Sequence, residues 1–75
     1  MTITPEDLKH WIEQGLPGAT ADVTGDGVHF EATVICAAFA DKNTLTQHRM
    51  VYEALGDKMK QTIHALSLRT RSTNG

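Results

Sequence analysis

Apolar residues first recur at helical spacing, at Leu8, Trp11, Ile12 and Leu16, the period of an amphipathic helix with one buried side. Thr4-Pro5-Glu6-Asp7 precedes this run and supplies a hydroxyl cap, a proline where its missing N–H costs nothing, and acids at the positive end of the dipole. Gly15 and Pro17-Gly18 stop the run, so the pattern predicts a helix over residues 5–15. From Ala19 the period changes to two. Ala19, Ala21 and Val23 alternate with Thr20, Asp22 and Thr24, and after Gly25-Asp26-Gly27 the alternation resumes at Val28, Phe30, Ala32 and Val34. Two alternating runs around a Gly-Asp-Gly turn predict a β-hairpin, with His29, Glu31 and Thr33 on its second face and His29 open to solvent beside the turn.

A short connection, residues 37–42, leads to Thr44-Leu45-Thr46-Gln47, whose spacing is that of a capping box between Thr44 and Gln47. Leu45, His48, Val51, Tyr52 and Leu55 form one stripe of the helix that follows; Gly56 ends it, and Asp57 can cap a second short helix containing Met59. A helix pair joined by glycine invites a helix-turn-helix label, but such pairs are common in folds that never meet DNA. Residues 63–70 alternate again, with His64, Leu66 and Leu68 on one face, and predict a third strand; residues 71–75 read as a polar, frayed tail. The order is α-β-β-α-α-β. A crossover through the helix pair lays the last strand parallel to one hairpin strand, which gives an α+β fold with helices on one face of a three-stranded mixed sheet.

With 75 residues, the chain has room for a single domain over residues 1–75, with its core at about 4–70 and little volume for a deep enzyme pocket. The longest apolar run, Val34 to Ala40, is too short to cross a bilayer. The N-terminus lacks the basic and apolar regions of a signal peptide, and a single cysteine, Cys36, forms no intramolecular disulfide, so a cytoplasmic location is expected. Charge is divided unevenly. Residues 1–41 carry seven acids against Lys9, a net −6, and residues 42–75 carry six bases against Glu53 and Asp57, a net +4. The split marks either a basic face for an anionic partner or two halves that pair with each other.

No nucleophile stands in a recognisable motif, and no phosphate-binding glycine loop follows a strand, so no enzyme activity is expected. Glu53 and Asp57, four residues apart, read as solvated helix residues, and Cys36 in Val34-Ile35-Cys36-Ala37 as a small buried hydrophobe. His10 reads as a surface residue and His48 as a packed or hydrogen-bonded one.

Two stretches resemble the BolA-like family. The longer is Gln47 through Met59, followed at residues 63–70 by an isoleucine-histidine-alanine pattern opening a strand; the second is Gly25-Asp26-Gly27-Val28-His29-Phe30, which looks like the hairpin turn of the branch with histidine in that loop. With the first helix, the likeness spans about residues 4–70. The resemblance implies a fold related to the type II KH domain. It also implies two roles: sharing a [2Fe–2S] cluster with a monothiol glutaredoxin, and transcriptional regulation through DNA binding. By position, His64 matches the family's ligand histidine and His29 its loop position, while Cys36 falls outside that loop. Many members continue into another helix after the last strand, where this sequence ends at Gly75.

Imidazole can replace thiolate on one iron of a cluster and raise its reduction potential, but a cluster needs about four ligands in all. His64 and His29 are therefore expected to hold no cluster alone and to complete a site with a partner's ligands; unaccompanied, the chain is expected to be a monomer or weak dimer. For DNA, the candidate phosphate contacts are Arg49, Lys58, Lys60 and Arg69, whose affinity would fall steeply with salt. No KH-type GxxG clamp is expected: the closest approach, Gly25-Asp26-Gly27, has the wrong spacing and carries an acid between its glycines.

Overall fold

A computed structural model describes residues 3–58 and 65–73. Helix α1 spans Pro5–Gly15, strand β1 Thr20–Gly25, strand β2 His29–Ile35, helix α2 Thr44–Leu55 and strand β3 Ala65–Arg71, with a short 3-10 turn at Ala37–Phe39. The second helix expected beyond Asp57, with Met59 and Lys60, and the expected strand opening at Ile63-His64 lie outside the described residues.

Helix α1 begins as its sequence requires. Thr4 accepts from the N–H of Asp7 at 3.2 Å, and the Asp7 carboxylate accepts from the N–H of Thr4 at 3.0 Å. This reciprocal box satisfies two amides that the first turn leaves without partners. The cap of α2 is placed one residue earlier than the spacing suggests. Asn43 holds the N–H of Thr46 at 2.9 Å, so Thr44 is the first helical residue. Freed from the box, Gln47 donates to the carbonyls of Phe39 (3.1 Å) and Lys42 (2.8 Å) and accepts from Thr70 Oγ1 at 2.6 Å. It ties the 3-10 turn, α2 and β3 together.

The sheet has strand order β1-β2-β3, with β1 antiparallel and β3 parallel to the central β2. Every second residue faces the helices: Ala21 on β1 and Phe30, Ala32 and Val34 on β2 are buried with Leu8 and Ile12 of α1 and Val51 and Leu55 of α2, and Leu66 and Leu68 of β3 pack against them. The alternate set, including Asp22, Glu31, Ser67 and Arg69, lies on an open polar face. The mixed sheet with helices on one face is thus the predicted architecture. Two details differ. Leu45 and Tyr52 are 67% and 39% exposed, because at 100° per residue they stand round the helix from Val51 and Leu55. Arg71 belongs to β3 and not to the tail, its carbonyl accepting from the N–H of Cys36 at 3.1 Å.

Candidate functional site

The turn between β1 and β2 is built around Asp26. Its Oδ1 accepts from the N–H groups of Val28 (3.0 Å) and His29 (2.9 Å), and its own N–H donates to the His29 carbonyl at 3.2 Å. The His29 amide first, and the Val28 amide second, hold the Asp26 carboxyl below the usual carboxylate range. Gly27 takes φ 97°, a left-handed conformation open to glycine. The turn fixes the backbone of His29 as β2 begins.

Because Phe30 points into the core, His29 projects on the open face, where it is exposed as expected. Its partner across the parallel ladder is Ala65, the residue that follows His64 in the chain. His64 itself lies outside the described residues. His29, Asp26, Glu31, Ala65 and Ser67 line a hollow of about 470 Å³. A second hollow of about 320 Å³ continues across the face past Thr33 and Arg69, sharing Thr24, Glu31 and Ser67 with the first.

The other sulfur and nitrogen donors stand apart. Cys36 is buried at 2% exposure beyond the opposite end of β2, roughly 23 Å along the strand from His29 at 3.3 Å per residue. His10 and His48 sit on α1 and α2, on the helix side of the sheet. Among the described residues no three His, Cys, Asp or Glu side chains are gathered to hold a metal ion. The donor chemistry fits a cluster only as part of a site: one exposed imidazole, a hollow beside it, and no thiolate within its reach. By itself such an edge lacks the further ligands that a cluster requires.

Among the described residues the candidate nucleic-acid contacts do not form one patch. Arg49 is exposed on the side of α2 that faces away from the core, Arg69 lies on the open face of the sheet, and Lys58 stands over the Trp11 ring with Nζ 5.0 Å from its centroid. Lys60 lies outside the described residues. Contrary to the expectation that the chain has no GxxG, that spacing does occur, at Gly15-Leu16-Pro17-Gly18. It joins α1 to β1, and Gly15 is needed for packing: a Cβ there would fall 2.6 Å from that of Ala54. Sequence reasoning also missed the pair Lys9 and Glu13. Glu13 accepts from the N–H of Ala21 at 3.0 Å, Lys9 donates to the Ala21 carbonyl at 3.0 Å, and the two side chains meet at 2.6 Å. The Ala21 amide, followed by Lys9, holds the Glu13 carboxyl below its ordinary range. The helical i, i+4 spacing of Lys9 and Glu13 was the only local signal. No described helix is long and apolar enough to cross a membrane.

Comparison with known proteins sets this edge in a family. A bolA protein homologue from Coxiella burnetii superposes with a TM-score of 0.91 at 48% identity, covering 96% of this chain and 94% of that one. An uncharacterised protein of Buchnera aphidicola is 33% identical over 73 residues, 96% of this chain and 91% of that protein. The DNA-binding transcriptional regulator BolA of Escherichia coli is 35% identical over 46 residues, 61% of this chain and 44% of its own length. The sequence model of the BolA-like protein family matches residues 2–74. With that match and this fold, the chain belongs to the BolA-like family.

Proposed function

We propose that this protein is a binding partner in iron–sulfur handling, which shares a [2Fe–2S] cluster with a monothiol glutaredoxin and contributes imidazole nitrogen from the His29 and His64 edge. The observation that carries the reading is the register of His29 with Ala65, which sets an exposed histidine beside the strand position that follows His64. The family resemblance supports it: by position, His64 matches the family's ligand histidine and His29 its loop position. An edge with histidine and no thiolate is half of a site, and the partner brings the remaining ligands. A cluster bound this way gains a higher reduction potential from imidazole ligation. Asp26 fixes the backbone of His29, and the hollow beside it leaves room for a partner's groups.

The test is a titration of the protein into a monothiol glutaredoxin with iron and sulfide. The visible spectrum of the mixture should differ from that of glutaredoxin alone, and His64→Ala should abolish the difference. An unchanged spectrum for the variant would remove the ligand assignment.

A second reading, a DNA-binding regulator, is favoured by one observation: the E. coli relative carries that description. Among the described candidates Arg49 lies on α2 and Arg69 on the open face of the sheet, so affinity would rest on Arg49, Lys58 and Lys60. A mobility shift that weakens with salt and is lost in Lys58→Glu/Lys60→Glu supports it; no shift at low salt removes it.

A further inference from the structure

The two outer edges of the sheet are finished differently. An edge strand presents unpaired N–H and C=O groups, and natural proteins cover or charge such edges. On β1, side chains of α1 occupy one outward position near the start of the strand: Glu13 accepts from the N–H of Ala21 and Lys9 donates to its carbonyl. On β3 the accounting differs. The Arg71 carbonyl accepts from Cys36, so by strand alternation Ser67 and Arg69 also turn their backbone toward β2, and Leu66, Leu68 and Thr70 turn theirs outward. Among the described residues these outward groups have no backbone partner.

Side-chain chemistry selects what could pair there. Ser67, Arg69 and Arg71 are exposed in a row on the open face beside this edge, and among the described residues neither guanidinium has an ion-pair or hydrogen-bond partner. Residues two apart on a strand stand roughly 6.6 Å apart, and a neighbouring strand lies about 4.8 Å away. We propose that the outer edge of β3 is a docking strand for an extended acidic segment of a partner protein, which pairs its backbone with Leu66, Leu68 and Thr70 and sets carboxylates at alternate positions against Arg69 and Arg71. A second copy fits poorly, since joining two β3 edges would gather four guanidinium groups on one face, and like charges across strands repel. Nucleic acid would meet the arginines but has no peptide backbone to pair with the edge.

This inference does not rest on cluster sharing, and its test contains neither iron nor glutaredoxin. The probe is a fluorescein-labelled octapeptide of alternating threonine and glutamate, titrated at low salt and read by anisotropy, with amide shifts followed by NMR. Binding is expected, with shifts at the amides of Leu66, Leu68 and Thr70 larger than at Ser67 and Arg69. N-methylation of every second amide of the peptide, or Arg69→Glu/Arg71→Glu in the protein, should each weaken binding by at least about tenfold. Both arginines are exposed, and circular dichroism verifies that the double variant is folded. Equal binding of the N-methylated peptide, stronger binding of a thymidine octanucleotide, a dimer of the protein that excludes the peptide, or no binding at all would overturn the proposal.

Discussion

His29 is the register partner of Ala65 across the parallel β2–β3 ladder, so the start of β3 is set beside the histidine of the hairpin turn. Exposure on the open face means the ring carries little of the fold's packing. His29→Ala should therefore change unfolding free energy by no more than about 0.5 kcal/mol, while altering the spectrum of the mixed complex with glutaredoxin. Urea denaturation followed by circular dichroism separates the two effects; a large loss of stability would mean that the ring supports the fold and would undercut its assignment as a ligand.

Position on α2 decides the cost of truncation. Leu55 is buried with Val51, whereas Leu45 is exposed. Leu55→Ala should destabilise by about 2–5 kcal/mol, and Leu45→Ala by no more than about 0.5 kcal/mol. Similar losses from the two variants in urea unfolding would contradict the orientation of the helix.

Gln47 bonds both the turn before α2 and Thr70 on β3. Gln47→Ala removes partners from half-buried polar groups and should cost about 1–3 kcal/mol. A double-mutant cycle with Thr70→Val should show a coupling of about 1 kcal/mol. Strict additivity would show that the hydroxyl does not work through the amide.

Much of the molecule was legible because its causes are local. Thr4, Pro5 and Asp7 start α1 within one turn of chain, and the period of two around Gly25-Asp26-Gly27 sets both the hairpin and the outward face of His29. The α2 cap slipped because Asn43 and Thr44 are both good caps, and which one serves is settled by the demand for Gln47 from Phe39, Lys42 and Thr70. Thr70 is 23 residues away, and no local pattern reports it. The sequence pattern groups Leu45 and Tyr52 in one stripe with Val51 and Leu55, but that stripe is wider than the face α2 buries, and both stand exposed at its margin. The occupied edge at Ala21 was hidden for a similar reason: Glu13 and Lys9 meet backbone groups of Ala21, and sequence does not show where backbone groups point. At the candidate site, His29 and its exposure could be read, but its pairing with Ala65 depends on how the chain crosses from α2 to β3.

The acid limb of stability follows from Asp26 and Glu13. Both carboxyls titrate lower in the folded protein than is ordinary, because backbone amides donate to their charged forms. A depressed folded value means that the contribution is fully present above the ordinary carboxylate pKa, declines as pH falls below it, and is gone once pH passes the folded value. Urea midpoints should fall as pH drops below about 4.5. In Asp26→Asn/Glu13→Gln that fall should be shallower, since the amides keep an acceptor oxygen but no charge. An unchanged acid limb would show that neither carboxylate is linked to folding.

The central claim is that this chain supplies imidazole nitrogen to a cluster held jointly with a glutaredoxin. The most direct measurement is pulsed electron paramagnetic resonance of the reduced mixed complex, with this protein alone labelled at its histidine nitrogens with nitrogen-15. A nitrogen-15 hyperfine coupling of the size of a directly bonded imidazole, lost in His64→Ala, is the predicted result; a cluster signal with no such coupling in the wild-type complex would contradict it.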